Sequence, residues 1–189
     1  NIPINNFPFT NLTSFQLADM YKLKADVAIL LNTTPDHLDR YDSPFPTSIA
    51  SQFRNLQNQT SSDAFISCAD DEVITKEVNN RNIPARNYPF SITHKVDEGG
   101  YLEEGNMIIN VNQKPFSMAV QRLSLLGKHN IYNSMAAAIA ANVVDIRKDA
   151  IRESLSDFQN IEHRLEVVAT IHGVEFINDS KATNINSTW

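Results

Sequence analysis

The chain has few cysteines and few glycines, and each shortage excludes a class of structure. Its single cysteine, Cys68, excludes an internal disulfide and a cysteine-rich metal site. The five glycines stand at positions 99, 100, 105, 127 and 173, and no G-x-x-x-x-G-K-[ST] motif contains any of them. The sequence therefore lacks the common backbone loop that cradles phosphate groups.

Long apolar runs and excess positive charge are missing as well. Nothing approaches the roughly 18 consecutive apolar residues of a membrane span, and no charged-then-apolar signal segment opens the sequence. A net charge of −6 and a pI near 5.3 argue against a general binder of nucleic-acid backbones, which carries a basic stripe. We expect a cytoplasmic monomer with neither a membrane nor a nucleic-acid partner.

The remaining composition is that of an ordinary globular protein, because 42% of the 189 residues are hydrophobic and 20% are charged. Short apolar runs at 25–32 and 64–68 are typical of buried strands, and 85–92 is similar. Helical periodicity occurs at 12–22, 45–60, 129–143 and 151–158, the third segment being rich in alanine. This alternation predicts an α/β fold with a mostly parallel sheet flanked by helices.

Two segments depart from that alternation. Residues 93–120 carry Gly99-Gly100, Gly105-Asn106 and the alternating run "MIINV", which predict a small antiparallel insert. Residues 165–179, "LEVVATIHGVEFIND", predict two strands joined at His172-Gly173. These two strands close the regular part of the sequence.

The first polar cluster follows the strand at 25–32, where ligand groups gather in open parallel sheets. It comprises Asn32, Thr33, Asp36, His37, Asp39 and Arg40. Imidazole and carboxylate groups bind divalent metals or polarise a phosphate oxygen. By itself an Asp–His pair is more often a surface hydrogen-bonded pair, so both interpretations stay open at this point.

Two further clusters border helices. His129 and Asn133 are spaced i, i+4 near a predicted helix start, which suits either a planar base or simple capping with solvated polar residues. Arg164 lies between a helix and a strand, where a guanidinium grips phosphate or forms a salt bridge.

The fourth cluster ends the last predicted strand, in "EFINDSKATN". Seven residues here offer almost nothing to a core, and they form either a solvated loop or a binding loop. Its polar side chains are those of Asn178, Asp179, Ser180, Lys181, Thr183 and Asn184.

Five stretches of the sequence, taken together, are specific for one protein family in their residues and in their order. "LTSFQL", "LNTTPDHLDRY", "LLGKHNIYNSMAAA", "EHRLEVV" and "INDSKATN" occur in the order found in the Mur ligases, which this sequence resembles from about residue 12 onwards. "DHLDRY", "HRLE" and "NDSKATN" resemble the D-glutamate-adding branch. The resemblance implies an ATP- and Mg²⁺-dependent ligase of peptidoglycan synthesis, which activates UDP-N-acetylmuramoyl-L-alanine as an acyl phosphate for attack by D-glutamate.

The resemblance also implies roles for individual residues. His37 is expected to hold magnesium with support from Asp36, and Arg164 to reach the terminal phosphate. The expected adenine contact is Asn133, with His129 and Asn130 beside it. Asp179 is expected at the ribose, and Lys181 and Thr183 beside the phosphate and the D-glutamate carboxylate. By the same likeness, the catalytic residues are His37, Arg164 and Lys181.

Domain organisation follows from the likeness too. Residues 1–162 are expected to form an incomplete central ATP-binding domain, and 163–189 to begin a Rossmann-like C-terminal domain. The family's phosphate loop and uridine-nucleotide domain are expected before residue 1, and most of its C-terminal domain after Trp189. The chain alone is therefore expected to be inactive.

Two positions depart from the family pattern. The family has a magnesium-binding Glu where this chain has Asn11, and its carbamoylated Lys corresponds to Gln52. An amide cannot supply the anionic charge of a carboxylate or carbamate, so both changes weaken the expected metal site. They motivate one alternative to the ligase, a degenerate, non-catalytic relative acting as a binding module. A second alternative is another Mur-type ligase such as a folylpolyglutamate synthetase, which the spelling "NDSKATN" disfavours.

Overall fold

The computed structural model of the chain describes residues 8–33, 44–125, 127–158 and 166–180. One six-stranded sheet contains β1 (Val27–Leu30), β2 (Ala64–Cys68), β3 (Arg86–Ser91), β4 (Gly99–Glu103), β5 (Asn106–Asn110) and β6 (Phe116–Ala119). Five α-helices are described: α1 (Ser14–Asp19), α2 (Pro44–Phe53), α3 (Glu72–Asn80), α4 (Lys128–Val143) and α5 (Lys148–Asp157). Short 3₁₀ turns occupy Arg54–Leu56 and Val120–Arg122.

The spatial order of the six strands is their order along the chain. β1, β2 and β3 run parallel, as their apolar runs predict, and every residue of β2 is buried. β4 also pairs parallel with β3, whereas β5 and β6 continue antiparallel. The predicted α/β class is confirmed, and the antiparallel stretch continues the main sheet.

Two glycines allow that continuation. Gly99 has φ +110°, and a Cβ there would lie 1.9 Å from the carbonyl oxygen of Pro89 in β3. A Cβ on Gly100 would lie 2.6 Å from Cγ of Met135 in α4. Because a side chain at Gly99 would overlap the backbone of β3, the pairing of β4 with β3 requires glycine there, whereas at Gly100 the Met135 side chain would have to shift.

Helix α4 covers one face of the sheet. Met135, Ala136, Ala138 and Ile139 are at most 1% exposed and pack on β1 to β5. Small alanine side chains let the helix axis approach the strands closely, which is what the alanine-rich segment predicts.

Helices α2 and α3 lie against the opposite face of the parallel strands. The rings of Phe53 in α2 and Phe65 in β2 meet edge to face with centroids 6.4 Å apart, and Ile74 of α3 is fully buried. The core therefore lies on both sides of β2, which is typical of a strand at the centre of an α/β sheet.

A separate antiparallel pair follows, formed by β7 (Glu166–Ile171) and β8 (Val174–Asn178). Its turn is at His172 and Gly173, both with positive φ, which confirms the predicted strand pair. The predicted domain boundary at 162/163 lies outside the described residues and stays a prediction. None of the described helices is long and apolar enough to cross a membrane.

Candidate functional site

The carboxyl ends of the first three strands bring several polar side chains to one edge of the sheet. Thr33 follows β1, Asp70 and Asp71 follow β2, and Ser91 ends β3. In open parallel sheets this edge is where ligands bind. The candidate site is therefore built from the loops at this edge together with the start of α4.

Asp71 joins the end of β1 to the start of α3. Its Oδ1 accepts the backbone N–H groups of Val73 and Ile74 at 2.9 Å each, so it caps that helix. Its Oδ2 accepts the N–H of Thr33 at 2.7 Å, and its Oδ1 accepts the Thr33 hydroxyl at 2.9 Å. The segment that leads from β1 into the "TTPDHLDRY" stretch is thus anchored at its first residue.

Asp70 collects hydrogen bonds from two other elements. Its Oδ1 accepts the hydroxyl of Ser91 at 2.6 Å and that of Thr93. Its Oδ2 accepts the N–H of Ile92 and the phenol hydroxyl of Tyr132, each at 2.7 Å. The side chain is only 9% exposed. One carboxylate therefore links the loop after β3 to helix α4.

These contacts also set the protonation of the two partners. Burial alone would raise the pKa of Asp70, but the four hydrogen-bond donors outweigh it and lower the pKa to about 2. Burial, reinforced by the bond to the Asp70 carboxylate, raises the pKa of Tyr132. At neutral pH the pair is therefore a carboxylate accepting from a neutral phenol.

His94 lies beside this cluster, with Nδ1 3.0 Å from Oγ of Ser91 and 3.3 Å from Oδ1 of Asp70. The three residue types are those of a nucleophilic triad, but Ser91 is fully buried and its hydroxyl donates to Asp70 directly. A nucleophile must be reachable by substrate and activated by a base. The arrangement is therefore structural.

The structure places the predicted α4 residues at the start of that helix. His129 and Asn133 are exposed and lie one turn apart on the same face, while Asn130 is half-buried. The amide of Asn133 can donate and accept at the same time, which suits the edge of a planar base. The expected adenine contact of these residues stays a prediction.

The two neutral positions of the expected metal site are also described. Asn11 is exposed just before the Thr13 cap of α1, and Gln52 lies in α2 with its Oε1 buried. Among the described residues, that oxygen has no hydrogen-bond partner. No group of three or more His, Cys, Asp or Glu side chains in the described ranges could hold a metal. These two amides therefore do not by themselves fit a magnesium site, which favours anionic oxygen ligands.

Side chains that follow α2 hold the segment between α1 and β1 in place. Arg54 and Gln57 donate to the backbone carbonyls of Ala18 and Met20, and Asn58 donates to that of Leu23 at 2.7 Å. These bonds fasten the end of α1 and the residues after it to the residues that follow α2.

The remaining predicted site residues fall mostly outside the described ranges. These are Asp36, His37, Arg164, Lys181 and Thr183. Asp179 is described and half-buried directly after β8. Beside it, the N–H of Ser180 donates to Oδ1 of Asn178 at 3.2 Å.

Sequence reasoning missed Asp70, Ser91, Thr93, His94 and Tyr132. The available signal was "CADDE", which predicts an acidic turn after a buried strand, at the sheet edge where ligands bind. The partners of Asp70 lie between 21 and 62 residues away along the chain, so local patterns do not reveal them.

Comparison with known proteins identifies the family. A profile of the Mur ligase middle domain matches residues 11–141. The chain belongs to the Mur ligase family. Among curated relatives, the UDP-N-acetylmuramoylalanine–D-glutamate ligase of Bacteroides fragilis is 51% identical over 94% of this chain. The enzyme of the same name from Bacteroides thetaiotaomicron is 46% identical over 98%.

Solved Mur ligase structures share the fold. A crystal structure of MurF from Acinetobacter baumannii superposes with a TM-score of 0.65 at 18% identity, covering 82% of this chain and 33% of that one. This chain spans about 40% of the length of the two curated relatives. The resemblance in the five motifs is thereby confirmed at the level of the family and of its D-glutamate-ligase relatives.

Proposed function

We propose that the chain is the middle part of an ATP-dependent ligase that adds D-glutamate to UDP-N-acetylmuramoyl-L-alanine in peptidoglycan synthesis. The observation that carries this proposal is the 51% identity, over 94% of the chain, to a relative named for that reaction. We also propose that the protein acts in the cytoplasm, and that the whole enzyme binds ATP, the nucleotide-linked substrate and D-glutamate.

Within this chain, α4 supplies the adenine side of the nucleotide site. His129 and Asn133 present an exposed polar face one helical turn long, and the Asn133 amide matches the donor and acceptor edge of a base. When bound, ATP supplies the phosphoryl group that activates the substrate carboxylate. Arg164 is proposed to neutralise the terminal phosphate, and Asp179 to hold the ribose.

Other residues serve the acceptor and the metal. Lys181 and Thr183 are proposed to orient the phosphate and the D-glutamate carboxylate. His37, supported by Asp36, is proposed as the remaining magnesium ligand. Because positions 11 and 52 are neutral amides, we propose that magnesium binding is weak.

The same two amides favour a second candidate function, a non-catalytic relative that still binds nucleotide. Loss of two anionic ligands removes charge from the place where negative charge develops during phosphoryl transfer. Such a protein would retain the adenine face of α4 and lack the ligase reaction.

An exchange into a full-length relative distinguishes the two functions. Residues 11–180 replace the matching segment of the Bacteroides fragilis ligase, with and without Asn11→Glu and Gln52→Lys. Phosphate release is then measured with the nucleotide substrate and D-glutamate, and with L-alanine as the control acceptor. We expect slow, D-glutamate-dependent release that the double substitution accelerates.

The opposite result is equally informative. If the chimeric ligase with both substitutions releases no phosphate in the presence of D-glutamate, while the parent ligase does, the ligase proposal is wrong. ATP binding retained in that protein would then support the binding module.

A further inference from the structure

We infer that Asp70 is a positioning residue that fixes the rotation of the first turns of α4 on the sheet, and with it the direction of Asn133. The inference rests on the proposed adenine-binding role of α4. Asp70 lies outside all five sequence motifs.

The first step is the shared oxygen. Oδ2 of Asp70 accepts both the backbone N–H of Ile92 and the hydroxyl of Tyr132, each at 2.7 Å. The first donor belongs to the loop that leaves β3, and the second belongs to α4. Hydrogen bonds to a charged acceptor are the shorter and stronger kind. A single atom therefore ties the helix to the rigid end of the sheet.

The second step is helix geometry. Tyr132 points towards the sheet, where its ring meets that of Phe90 edge to face at a centroid distance of 6.1 Å. Consecutive residues in an α-helix are separated by about 100° of rotation. Asn133 is the next residue and is exposed. Whatever fixes the azimuth of Tyr132 therefore also fixes that of Asn133.

The third step is that α4 begins at a glycine, which has no side chain to cap the helix. Gly127, its N-cap, has φ +101° and makes no side-chain capping bond in the described structure. The buried residues of α4, Met135, Ala136, Ala138 and Ile139, all lie beyond Tyr132 in the helix. At the start of the helix, the hydrogen bond from Tyr132 therefore adds a contact of defined direction that a glycine N-cap does not supply.

The fourth step excludes a direct ligand role for Asp70. Four donors already occupy its two oxygens, His94 lies 3.3 Å from one of them, and the side chain is 9% exposed. A carboxylate so fully used has little capacity left for a nucleotide or a metal. It acts on the proposed site through Tyr132.

The test uses Tyr132→Phe, which removes the hydrogen bond and keeps the ring. Tyr88→Phe is the matched control, because its phenol donates to Asn112 at 3.2 Å and not to Asp70. Amide hydrogen exchange is measured in the 189-residue chain for residues 131–134, whose N–H groups are the first of α4 with an acceptor in the helix. We expect exchange there to accelerate roughly tenfold in Tyr132→Phe and to stay unchanged in Tyr88→Phe.

A second readout separates positioning from general stability. The affinities for ATP and for inorganic tripolyphosphate are measured by NMR titration, and their ratio reports the contribution of the base. We expect this ratio to fall several-fold in Tyr132→Phe, while the tripolyphosphate affinity and the ratio in Tyr88→Phe remain at the native value.

Asp70→Asn completes the design. It should reproduce the loss of ATP preference, and the double variant Asp70→Asn/Tyr132→Phe should lose no more than the worse single variant. Native exchange rates and a native ATP ratio in Tyr132→Phe would overturn the inference, even if Asp70→Asn fails to fold. If the native chain itself shows no preference for ATP, the adenine role of α4 is wrong, and the exchange rates still decide whether Asp70 fixes the helix.

Discussion

Gly100 and Met135 are in contact so close that a Cβ on the glycine would lie 2.6 Å from the methionine Cγ and 2.9 Å from its sulfur. Gly100 lies in β4, the strand at which the sheet changes from parallel to antiparallel pairing, and Met135 lies in α4, the helix that covers this strand. We expect Gly100→Ala to destabilise the chain by about 1–3 kcal/mol, because the core must shift to admit the methyl group. Urea denaturation measures the change.

The control for this prediction is a double-substitution cycle. Met135→Ala alone should cost roughly 2–5 kcal/mol through the cavity it leaves. In that background Gly100→Ala should cost much less, because the neighbouring side chain is gone. An equal cost in both backgrounds would show that the contact with Met135 is not the cause.

Thr33→Val tests the anchor at the end of β1. The substitution keeps the shape and removes the hydroxyl that donates to Asp71 at 2.9 Å, so we expect a loss of about 1–3 kcal/mol in the free energy of unfolding. Thr170→Val is the control, since it makes the same chemical change at an exposed position of β7. Equal effects of the two substitutions would contradict the special role of Thr33.

The lowered pKa of Asp70 predicts a pH dependence of stability. Its pKa is about 2 in the folded state and 3.8 for an aspartate free of these contacts, so the stabilisation is present above pH 4 and is lost as the pH falls from 4 towards 2. The expected loss is on the order of 2 kcal/mol. In Asp70→Asn, the unfolding free energy should change less over this interval than in the native chain, and identical slopes would refute the assignment.

Magnesium binding should be weak. With neutral amides at positions 11 and 52, we expect calorimetry to give a dissociation constant of roughly millimolar or weaker. Asn11→Glu alone should restore binding only in part, because the second anionic ligand is still missing. Asn80→Glu, at an exposed position of α3, controls for added charge. An affinity tighter than millimolar that disappears in His37→Ala would mean that the site is intact.

Sequence patterns predicted the elements of this fold more completely than their assembly. The apolar run of β2 and the alanine-rich α4 are local signals, and the structure confirms both. The pairing of β4 with β3 is different, because it rests on two registered positions, one of them Phe90 with Gly100. Only the three-dimensional fit at Gly99 and Gly100 explains why the antiparallel strands extend the main sheet.

The sequence likewise predicted only some residues of the candidate site. Motif residues such as His129 and Asn133 could be selected from their i, i+4 spacing and from the family resemblance. Asp70 could not, because its importance arises from donors that folding brings together from β3, its loop and α4. A residue that contacts a ligand directly belongs to a motif that can be recognised in the sequence. A residue that positions other side chains acts through contacts that are distant along the chain, and these contacts are not visible in the sequence.

The agreement between strand order in space and along the chain has a consequence for how the protein folds. Each strand of the main sheet pairs with its immediate predecessor, so the sheet can grow by addition at one edge as the polypeptide leaves the ribosome. The face that α4 covers must wait until residues 128–143 have been synthesised. During that interval a nascent chain exposes the apolar face of β1 to β5 that α4 later covers.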